Sequence, residues 1–425
     1  MRYIIIILFF VINSMILSQV ELSRPDENTQ LVASFYIDYT CNKSQLPGKT
    51  RFDVFLQVPY RSIQFIKRDS IFFGTYNVTL TFYDSDKSNI LFEKMWQEQV
   101  KTANFRQTTS QNNYNISYKN FDLTPGKYVL KCYIEDNNSE KKSEKTFPIT
   151  IRKINDTLGI SDILLISDII HNSDVENIVP NAARIITNKT KNLQLTYEIY
   201  SSTNRNVFVN YLIKDNDDNK IFETKDTLTI KEGTNPIYYT INYQNFIIGK
   251  YELEVSLQNL ENKTISSVTK TINSRIFGLP STIVNLNKAI EQMIYIASSK
   301  EIDEIKNSKT YQEKLDKFMA FWNSKKPNKN SDENPILNEY YRRIDYANKN
   351  FRGIGEGWRT DMGMVYVTFG PPSNVERHAF EMDSKPYEIW EYYEQNRYFV
   401  FVDNTGFGDY YLVNPDYSRW PGYRQ

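Results

Sequence analysis

The sequence predicts a mixed fold: two tandem antiparallel β-sandwich (Ig-like) domains, then a helical segment and a small C-terminal α+β domain. Three observations predict it. Between residues 31 and 276, short runs of alternating apolar and polar residues are separated by turn-forming residues, as in β-sandwiches. Beyond residue 277, apolar residues recur at helical spacing. After residue 353, short β-like runs return.

Composition and charge restrict the classes of function. The chain of 425 residues is 40% hydrophobic and 14% aromatic, which excludes wholesale disorder. Its 51 basic and 51 acidic residues balance, so no long-range field would attract nucleic acid. We expect about three folded domains and no nucleic-acid partner.

The N-terminus predicts export. Arg2 precedes an apolar run from Ile4 to Leu17, which is shorter than the ~20 residues of a transmembrane helix. The pattern is typical of a signal peptide, residues 1–18, cleaved between Ser18 and Gln19. The alternative is an uncleaved membrane anchor. We expect a mature chain without an integral membrane span.

The first β-sandwich is predicted over residues 19–155. Its strand signals are alternating, β-branched or aromatic runs at 51–58, 75–83, 90–96 and 123–134. Asp84–Ser88 and Pro125-Gly126 are turn signals between these strands. Cys41 and Cys132 both lie in this region. We expect buried, unpaired cysteines, with a disulfide bridge as the alternative.

The second β-sandwich is predicted over residues 156–276 and repeats the same plan. Gly249-Lys-Tyr251 matches Gly126-Lys-Tyr128, and a second Asp/Asn turn at 215–220 takes the place of Asp84–Ser88. The Gly-Lys-Tyr segments are 123 residues apart, and the Asp/Asn turns are 131 residues apart. This pattern indicates a duplicated fold with different loop lengths.

A helical segment is predicted over residues 277–352. Thr310 and Glu313 form a capping-box signal for a helix over 311–322. Asn334-Pro335 is an N-cap followed by proline at the first helical position. Helical spacing is carried by the apolar residues Ile283, Leu286, Ile290, Met293 and Ile294.

The C-terminal α+β domain is predicted over residues 353–425. A strand over 364–369 is expected to end at Gly370-Pro371-Pro372. Further strands are expected over 387–393, 398–402 and 410–413. We expect the preceding helices to pack on this sheet.

Catalytic and metal-binding motifs are sparse in this sequence. It contains no His-Glu-x-x-His, Gly-x-Ser-x-Gly or Gly-x-x-x-x-Gly-Lys. His171 and His378 are both expected in loops; His378 beside Glu376 or Asp361 is a candidate general base or, more simply, a surface residue. We predict no catalytic residue and no cofactor.

One Asp/Asn segment resembles the start of a calcium loop. Asp215–Asn219 is followed by Lys220 at the sixth position, where glycine is needed, although Asp226 supplies a carboxylate at the twelfth. Asp and Asn also suit tight turns. We therefore expect a hairpin turn and predict no metal site.

The run Gly357-Trp358-Arg359-Thr360-Asp361 is the signature of the GWxTD domain family, which the chain resembles. The context agrees: Gly363, 365–372, Glu388-Ile389-Trp390 with Tyr392, and 399–403. The first β region is also similar to that family, in 58–60, Phe65 and 125–128. The resemblance implies an exported protein of Bacteroidetes-type bacteria and implies no particular activity.

Three interpretations of the signature are open. In a structural one, Trp358 fills the interface between helices and sheet, Thr360 or Asp361 bonds backbone N–H groups, and Arg359 faces solvent or a carboxylate. In a second, the signature forms a recognition pocket. In a third, Asp361 is catalytic. The candidate binding residues are Trp358, Arg359, Thr360, Asp361, Trp390 and Tyr392.

We expect an exported envelope protein that is a non-enzymatic interaction or structural component. Its partner would be another envelope protein, and its location periplasmic, outer-membrane-associated or secreted. One alternative is a peptide- or glycan-binding module that uses aromatic stacking by the C-terminal domain. Another is a hydrolytic enzyme built on that domain.

Overall fold

The computed structural model describes residues 35–413, except 111–112, 173–174, 189, 191, 244, 260–261, 330–333, 352, 354 and 379–384. The predicted signal peptide lies outside these residues. The chain forms two compact units. The first contains the described residues up to Tyr36, Leu56–Ser117 and Val129–Phe147, and the second contains Ile37–Phe55, Tyr118–Tyr128 and the chain from Pro148 onwards.

The N-terminal β-rich region contains two sheets. One has the strand order β1-β2-β6, and the other has the order β3-β4-β7-β8, with β5 also paired to β4. Alternation places Tyr76, Val78 and Leu80 on one buried face of β4, as predicted. The strands are β1 (Tyr36–Lys43), β2 (Thr50–Pro59), β3 (Ile66–Arg68), β4 (Ile71–Tyr83), β5 (Ile90–Thr102), β6 (Tyr114–Leu123), β7 (Gly126–Asp136) and β8 (Lys142–Ile151).

The next β-rich region also contains two sheets. Their strand orders are β11-β10-β13-β16, with β9 paired to β13, and β12-β18-β17-β14-β15. Alternating aliphatic and tyrosine side chains from both sheets form one buried core. The strands are β9 (Leu158–Ile160), β10 (Leu164–Asn172), β11 (Val175–Pro180), β12 (Ile185–Thr187), β13 (Leu193–Ser201), β14 (Arg205–Asp215), β15 (Lys220–Ile230), β16 (Gly233–Ile241), β17 (Gly249–Gln258) and β18 (Thr264–Arg275).

The two β-rich regions share one plan, as the sequence matches predicted. The order β5-β4-β7-β8 in the first has its counterpart in β15-β14-β17-β18 in the second. The matched tyrosines make the same contact. The Tyr128 hydroxyl donates to the carbonyl oxygen of Thr124 at 2.8 Å, and that of Tyr251 donates to Ile247 at 3.1 Å.

The two Asp/Asn segments are hairpin turns, as predicted. The Asp84 carboxylate accepts the backbone N–H of Ser88 at 2.7 Å between β4 and β5. The Asp215 carboxylate accepts the N–H of Asn219 at 2.9 Å between β14 and β15. Both aspartates therefore close their turns internally.

Both cysteines are unpaired and buried, in agreement with the favoured prediction. Cys41 lies on β1 and Cys132 on β7. Burial raises the pKa of the Cys41 thiol to about 12, with a further contribution from the Asp162 carboxylate. Burial also raises the pKa of Cys132. These thiols are therefore protonated at neutral pH.

The helical segment is capped where the sequence predicts. Thr310 accepts the N–H of Glu313 at 3.1 Å, although the Glu313 carboxylate accepts from Lys309 rather than from Thr310. Asn334 caps the proline-initiated helix through the N–H of Leu337. Within the described residues, no helix is both long and apolar enough to cross a membrane. The helices of the whole described chain are α1 (Phe105–Thr108), α2 (Leu286–Glu291), α3 (Ser299–Lys306), α4 (Tyr311–Ser324), α5 (Pro335–Asn350) and α6 (Asp361–Phe369).

The C-terminal region is a four-stranded sheet with the order β19-β20-β21-β22, on which α6 packs. The prediction of a strand over 364–369 was wrong. Residues 362–367 are all buried, and a run that is apolar on every side has the same pattern in a buried helix and a buried strand. The strands are β19 (Asn374–His378), β20 (Tyr387–Tyr392), β21 (Arg397–Asp403) and β22 (Tyr410–Leu412).

Both histidines lie in strands, not in loops as predicted. His171 belongs to β10, where its backbone pairs with Glu176 of β11. His378 is the last residue of β19 and pairs with Tyr387 of β20. The neighbouring polar residues suggested loops, but antiparallel strands with one face in solvent also carry polar side chains.

Candidate functional site

The signature residues lie between two helices, after α5 and at the start of α6. Gly357–Arg359 forms a single 3-10 turn. The Thr360 hydroxyl donates to the carbonyl oxygen of Gly357 at 2.7 Å and accepts the N–H of Gly363 at 3.0 Å. Thr360 is therefore the N-cap of α6, a position that favours Ser, Thr, Asp or Asn.

The glycine of the signature is required by close backbone packing. A Cβ atom at Gly357 would lie 2.6 Å from the carbonyl oxygen of Phe351 and closer still to that of Ala347. Gly363 faces Gly357 in the same way, because its Cβ would lie 2.9 Å from the Cα of Trp358. The 3-10 turn is thus packed directly against α5 on one side and α6 on the other.

Trp358 is fully buried in the core formed by the helical segment. Its indole N–H donates to the Glu356 carboxylate at 2.9 Å, and its carbonyl oxygen accepts the hydroxyl of Tyr295 at 3.0 Å. The Tyr295 ring meets the indole edge to face, with centroids 6.0 Å apart. The indole ring is therefore held inside the protein with its polar atom satisfied.

Arg359 is the exposed member of the signature. Its guanidinium group lies 4.3 Å from the Trp358 ring and contacts the Glu291 carboxylate of α2 at 3.2 Å. Glu356 also pairs with Lys288. Burial raises the pKa of Glu356, but the bonds from Lys288 and Trp358 lower it more, so that its pKa is below the ordinary value. A surface network of charges therefore joins the turn to α2.

Asp361 joins the start of α6 to the last strand of the sheet. Its carboxylate accepts the backbone N–H of Leu412 in β22 at 2.7 Å. Asp361 also lies in the first turn of α6, where an acidic side chain stabilises a helix. Both features stabilise the fold around the signature.

Asp403 organises the turn between β21 and β22. Its carboxylate accepts the N–H groups of Thr405 at 3.1 Å, Gly406 at 2.9 Å and Gly408 at 2.6 Å. Burial raises the pKa of Asp403, but these bonds, led by that from Gly408, lower it below the usual range. The negative charge of Asp403 thus stabilises this turn.

Trp390 and Tyr392 are buried on the face of the sheet that packs against α6. The Tyr392 hydroxyl donates to the carbonyl oxygen of Gly370 at 2.9 Å, and the Trp390 indole N–H donates to Glu388 at 2.9 Å. With Trp358 also buried, these rings are not available for stacking on a ligand. A binding role stays a prediction for Arg359, Thr360 and Asp361, whose side chains reach the surface.

The described residues do not bring His378 and Asp361 together. His378 lies on β19, whereas Asp361 bonds β22, and three strand spacings of about 4.8 Å separate those strands. The His378 ring stacks on Tyr387 at 4.2 Å, and its Nε2 lies 4.0 Å from Glu376. Among the residues described, no group of three or more His, Cys, Asp or Glu side chains could hold a metal ion.

The other face of the sheet is a feature that the sequence reasoning missed. Strand register places Tyr398, Val400 and Val402 on one side of β21, opposite the buried Phe399 and Phe401. Tyr398, Tyr411 and Val413 are exposed. We call this the outer face; its residues are Glu376, His378, Tyr387, Ile389, Glu391, Tyr398, Val400, Val402, Tyr411 and Val413. The alternating residues of β20 and β21, apolar on both sides, were the available signal.

Comparison with known proteins identifies the C-terminal part of the chain. Residues 259–415 match the GWxTD domain. None of the curated proteins matches the chain.

Solved structures show only slight similarity to the chain. Red sea bream transglutaminase is 10% identical, with a TM-score of 0.17, and the match covers 56% of this chain and 31% of that one. A β-glucuronidase of Bacteroides uniformis is 9% identical, with a TM-score of 0.19, covering 52% and 26%. A putative β-galactosidase of Bacteroides fragilis is 9% identical, with a TM-score of 0.22, covering 52% and 32%.

These enzymes are much longer than the present chain, which spans about a third or less of their length. Similarity at this level assigns no activity to the chain. The family match alone coincides with the signature and with the helices and sheet around it. The chain therefore contains a GWxTD domain over residues 259–415.

Proposed function

We propose that this protein is an exported, non-catalytic component of the cell envelope that binds another envelope protein through the outer face. The observation that carries the proposal is the exposed apolar and aromatic surface of this sheet, formed by Tyr398, Tyr411 and Val413 around Val400 and Val402. Monomeric proteins rarely expose large contiguous apolar patches, and such patches mark interaction sites.

The chemistry of the C-terminal region supports a binding role over a catalytic one. Asp361 bonds backbone, and Glu388 bonds both Arg377 and the Trp390 indole. A general acid or base needs a titratable partner and a place for a substrate. Asp361 and Glu388 instead hold elements of this region together.

A peptide- or glycan-binding module is the second candidate. The aromatic rings that favour it are the exposed Tyr393, Tyr398 and Tyr411, not the buried rings expected from the sequence. A glycan would stack on these tyrosines, whereas a protein would also cover the aliphatic side chains between them.

The experiment that tests the proposal is affinity capture from an envelope extract. We would compare the wild type with a Tyr398→Ala/Tyr411→Ala variant and with Tyr238→Ala as the matched control. Tyr238 is 61% exposed on β16, and Tyr398 is 62% exposed on β21. Circular dichroism would verify that all three proteins are folded.

The proposal predicts one envelope protein that the wild type and the Tyr238→Ala variant capture and the double variant does not. Capture of the same proteins by all three would contradict it. Binding of a neutral soluble polysaccharide that depends on Tyr398 and Tyr411 would favour the second candidate.

A further inference from the structure

The outer face carries carboxylates beside its exposed rings. The Tyr393 hydroxyl, at the end of β20, donates to Glu391 at 3.2 Å. The Tyr411 hydroxyl donates to Asp409 at 2.8 Å. Glu376 has a side chain that is 51% exposed and lies in register with Ile389. Glu376 and Glu391 therefore lie among the aromatic residues of the outer face, and Asp409 lies beside Tyr411 at its edge.

His378 is the basic residue of the outer face itself, with its Nε2 4.0 Å from Glu376. The nearby described Lys and Arg side chains are directed elsewhere. Arg377 pairs with Glu388 at 3.1 Å, in register with the buried Phe401, and so lies on the opposite face. Arg397 lies over the Phe369 ring at 5.5 Å, also on the side of α6. Lys385 donates to Asn404 at 3.0 Å in the loops beside the sheet.

Rings and carboxylates in this arrangement attract the same kind of group. A carboxylate attracts Lys and Arg by charge, and the exposed face of a tyrosine ring attracts them through its quadrupole. The aliphatic residues Ile389, Val400 and Val402 between them favour apolar contact, which a sugar chain would use poorly. The two requirements are met together by a protein segment.

From this complementarity we infer that the outer face binds a protein segment with apolar residues at its centre and Lys or Arg at its edge. This inference rests on the proposed function and adds the chemical class of the partner. The apolar residues would cover Val400 and Val402. The basic residues would pair with Glu376, Glu391 and Asp409 and would lie over the rings of Tyr398 and Tyr411.

The test uses three synthetic peptides as probes. All share the same apolar positions, and their remaining positions are Lys/Arg, Ser/Gln or Asp/Glu. Binding to the full chain is measured by fluorescence anisotropy at low and at high salt. The variants are Glu376→Lys and, as the matched control, Glu252→Lys, since both glutamates are exposed on strands. Tyr398→Ala is a third variant.

We expect the basic peptide to bind about tenfold more tightly than the neutral one at low salt, with a smaller preference at high salt. Glu376→Lys should weaken the basic peptide about fivefold, and Glu252→Lys should leave its affinity unchanged. Tyr398→Ala should weaken both the basic and the neutral peptide.

The inference is overturned when the three peptides bind equally, or when Glu376→Lys and Glu252→Lys bind the basic peptide alike. Absence of binding by every peptide also overturns it, because it requires only charge and apolar residues. If binding is independent of peptide charge but is lost in Tyr398→Ala, the charge inference fails while the proposed function stands. If capture from the extract is also unaffected by the Tyr398→Ala/Tyr411→Ala variant, both fail.

Discussion

Replacing Gly357 by alanine tests whether the signature is required for folding. Its Cβ would lie 2.6 Å from the carbonyl oxygen of Phe351 and nearer to that of Ala347, which accepts the last hydrogen bond of α5. Both atoms belong to backbone, so relief requires the 3-10 turn to move away from α5. That movement would also displace the buried Trp358. Overpacking costs typically 1–3 kcal/mol, and we expect about 3 kcal/mol here because two backbone segments must shift.

The assay is urea and thermal unfolding followed by tryptophan fluorescence. All tryptophans except Trp96 lie C-terminal to residue 320, so the signal reports mainly on the C-terminal region. A loss of about 3 kcal/mol lowers the melting temperature by roughly 6–12 °C for a domain of ~150–250 residues.

Gly249→Ala is the matched control for Gly357→Ala. The nearest atom to its Cβ is a ring carbon of Tyr251 at 3.9 Å, which is an ordinary contact. We expect a change within about 0.5 kcal/mol for this substitution. A Gly357→Ala protein as stable as the Gly249→Ala protein would refute the packing argument and would revive a functional interpretation of the signature.

Three further predictions concern groups that the structure shows bonded or buried. Asp361→Ala should lower the free energy of urea unfolding by about 1–3 kcal/mol, because it leaves the buried N–H of Leu412 without its acceptor. Asp361→Asn keeps an oxygen acceptor and should cost less. A change below about 0.5 kcal/mol for Asp361→Ala would contradict this prediction. Asp403 has a lowered pKa in the folded state. Its contribution to the free energy of unfolding is therefore fully present above its unfolded pKa of about 3.9 and is lost as pH falls through the folded pKa. Stability measured against pH should show that loss in the wild type, and the same acid dependence in Asp403→Asn would argue against it. The thiols of Cys41 and Cys132 should react with a disulfide reagent only on unfolding, because burial raises the pKa of both and the thiolate is the reactive form. Rapid labelling of the folded protein would contradict this prediction.

Local patterns were sufficient to predict much of the fold. Alternating residues predicted β4, and the sequence of Asn334-Pro335 predicted the start of α5. The alternation of two residues in β4 and the N-cap residue of α5 each indicate a single type of element. In both segments the local preference therefore agrees with the observed burial. The Gly-Lys-Tyr segments that contain Tyr128 and Tyr251 predicted the duplication, and both tyrosines make the same local hydrogen bond.

The predictions failed where a segment is apolar on more than one side. Helix α6 is buried from Met362 to Val367, so its sequence carries no period that distinguishes a helix from a strand. In β20 and β21 both faces carry aromatic or aliphatic residues, so alternation did not show which face is the core. Trp390 and Tyr392, which the sequence suggested for aromatic stacking, are buried, whereas Tyr398 and Tyr411 are exposed.

The arrangement of the signature has an evolutionary consequence. The undefined letter in the domain's name falls on Arg359, whose side chain is exposed, while the residues of the four defined letters each make a contact within the fold. Gly357 permits close packing, Trp358 fills the core, Thr360 caps α6 and Asp361 holds β22. Selection for a folded domain is sufficient to preserve these four letters across relatives. Under the proposed function, a change of binding partner would be recorded on the outer face and would leave the motif unchanged.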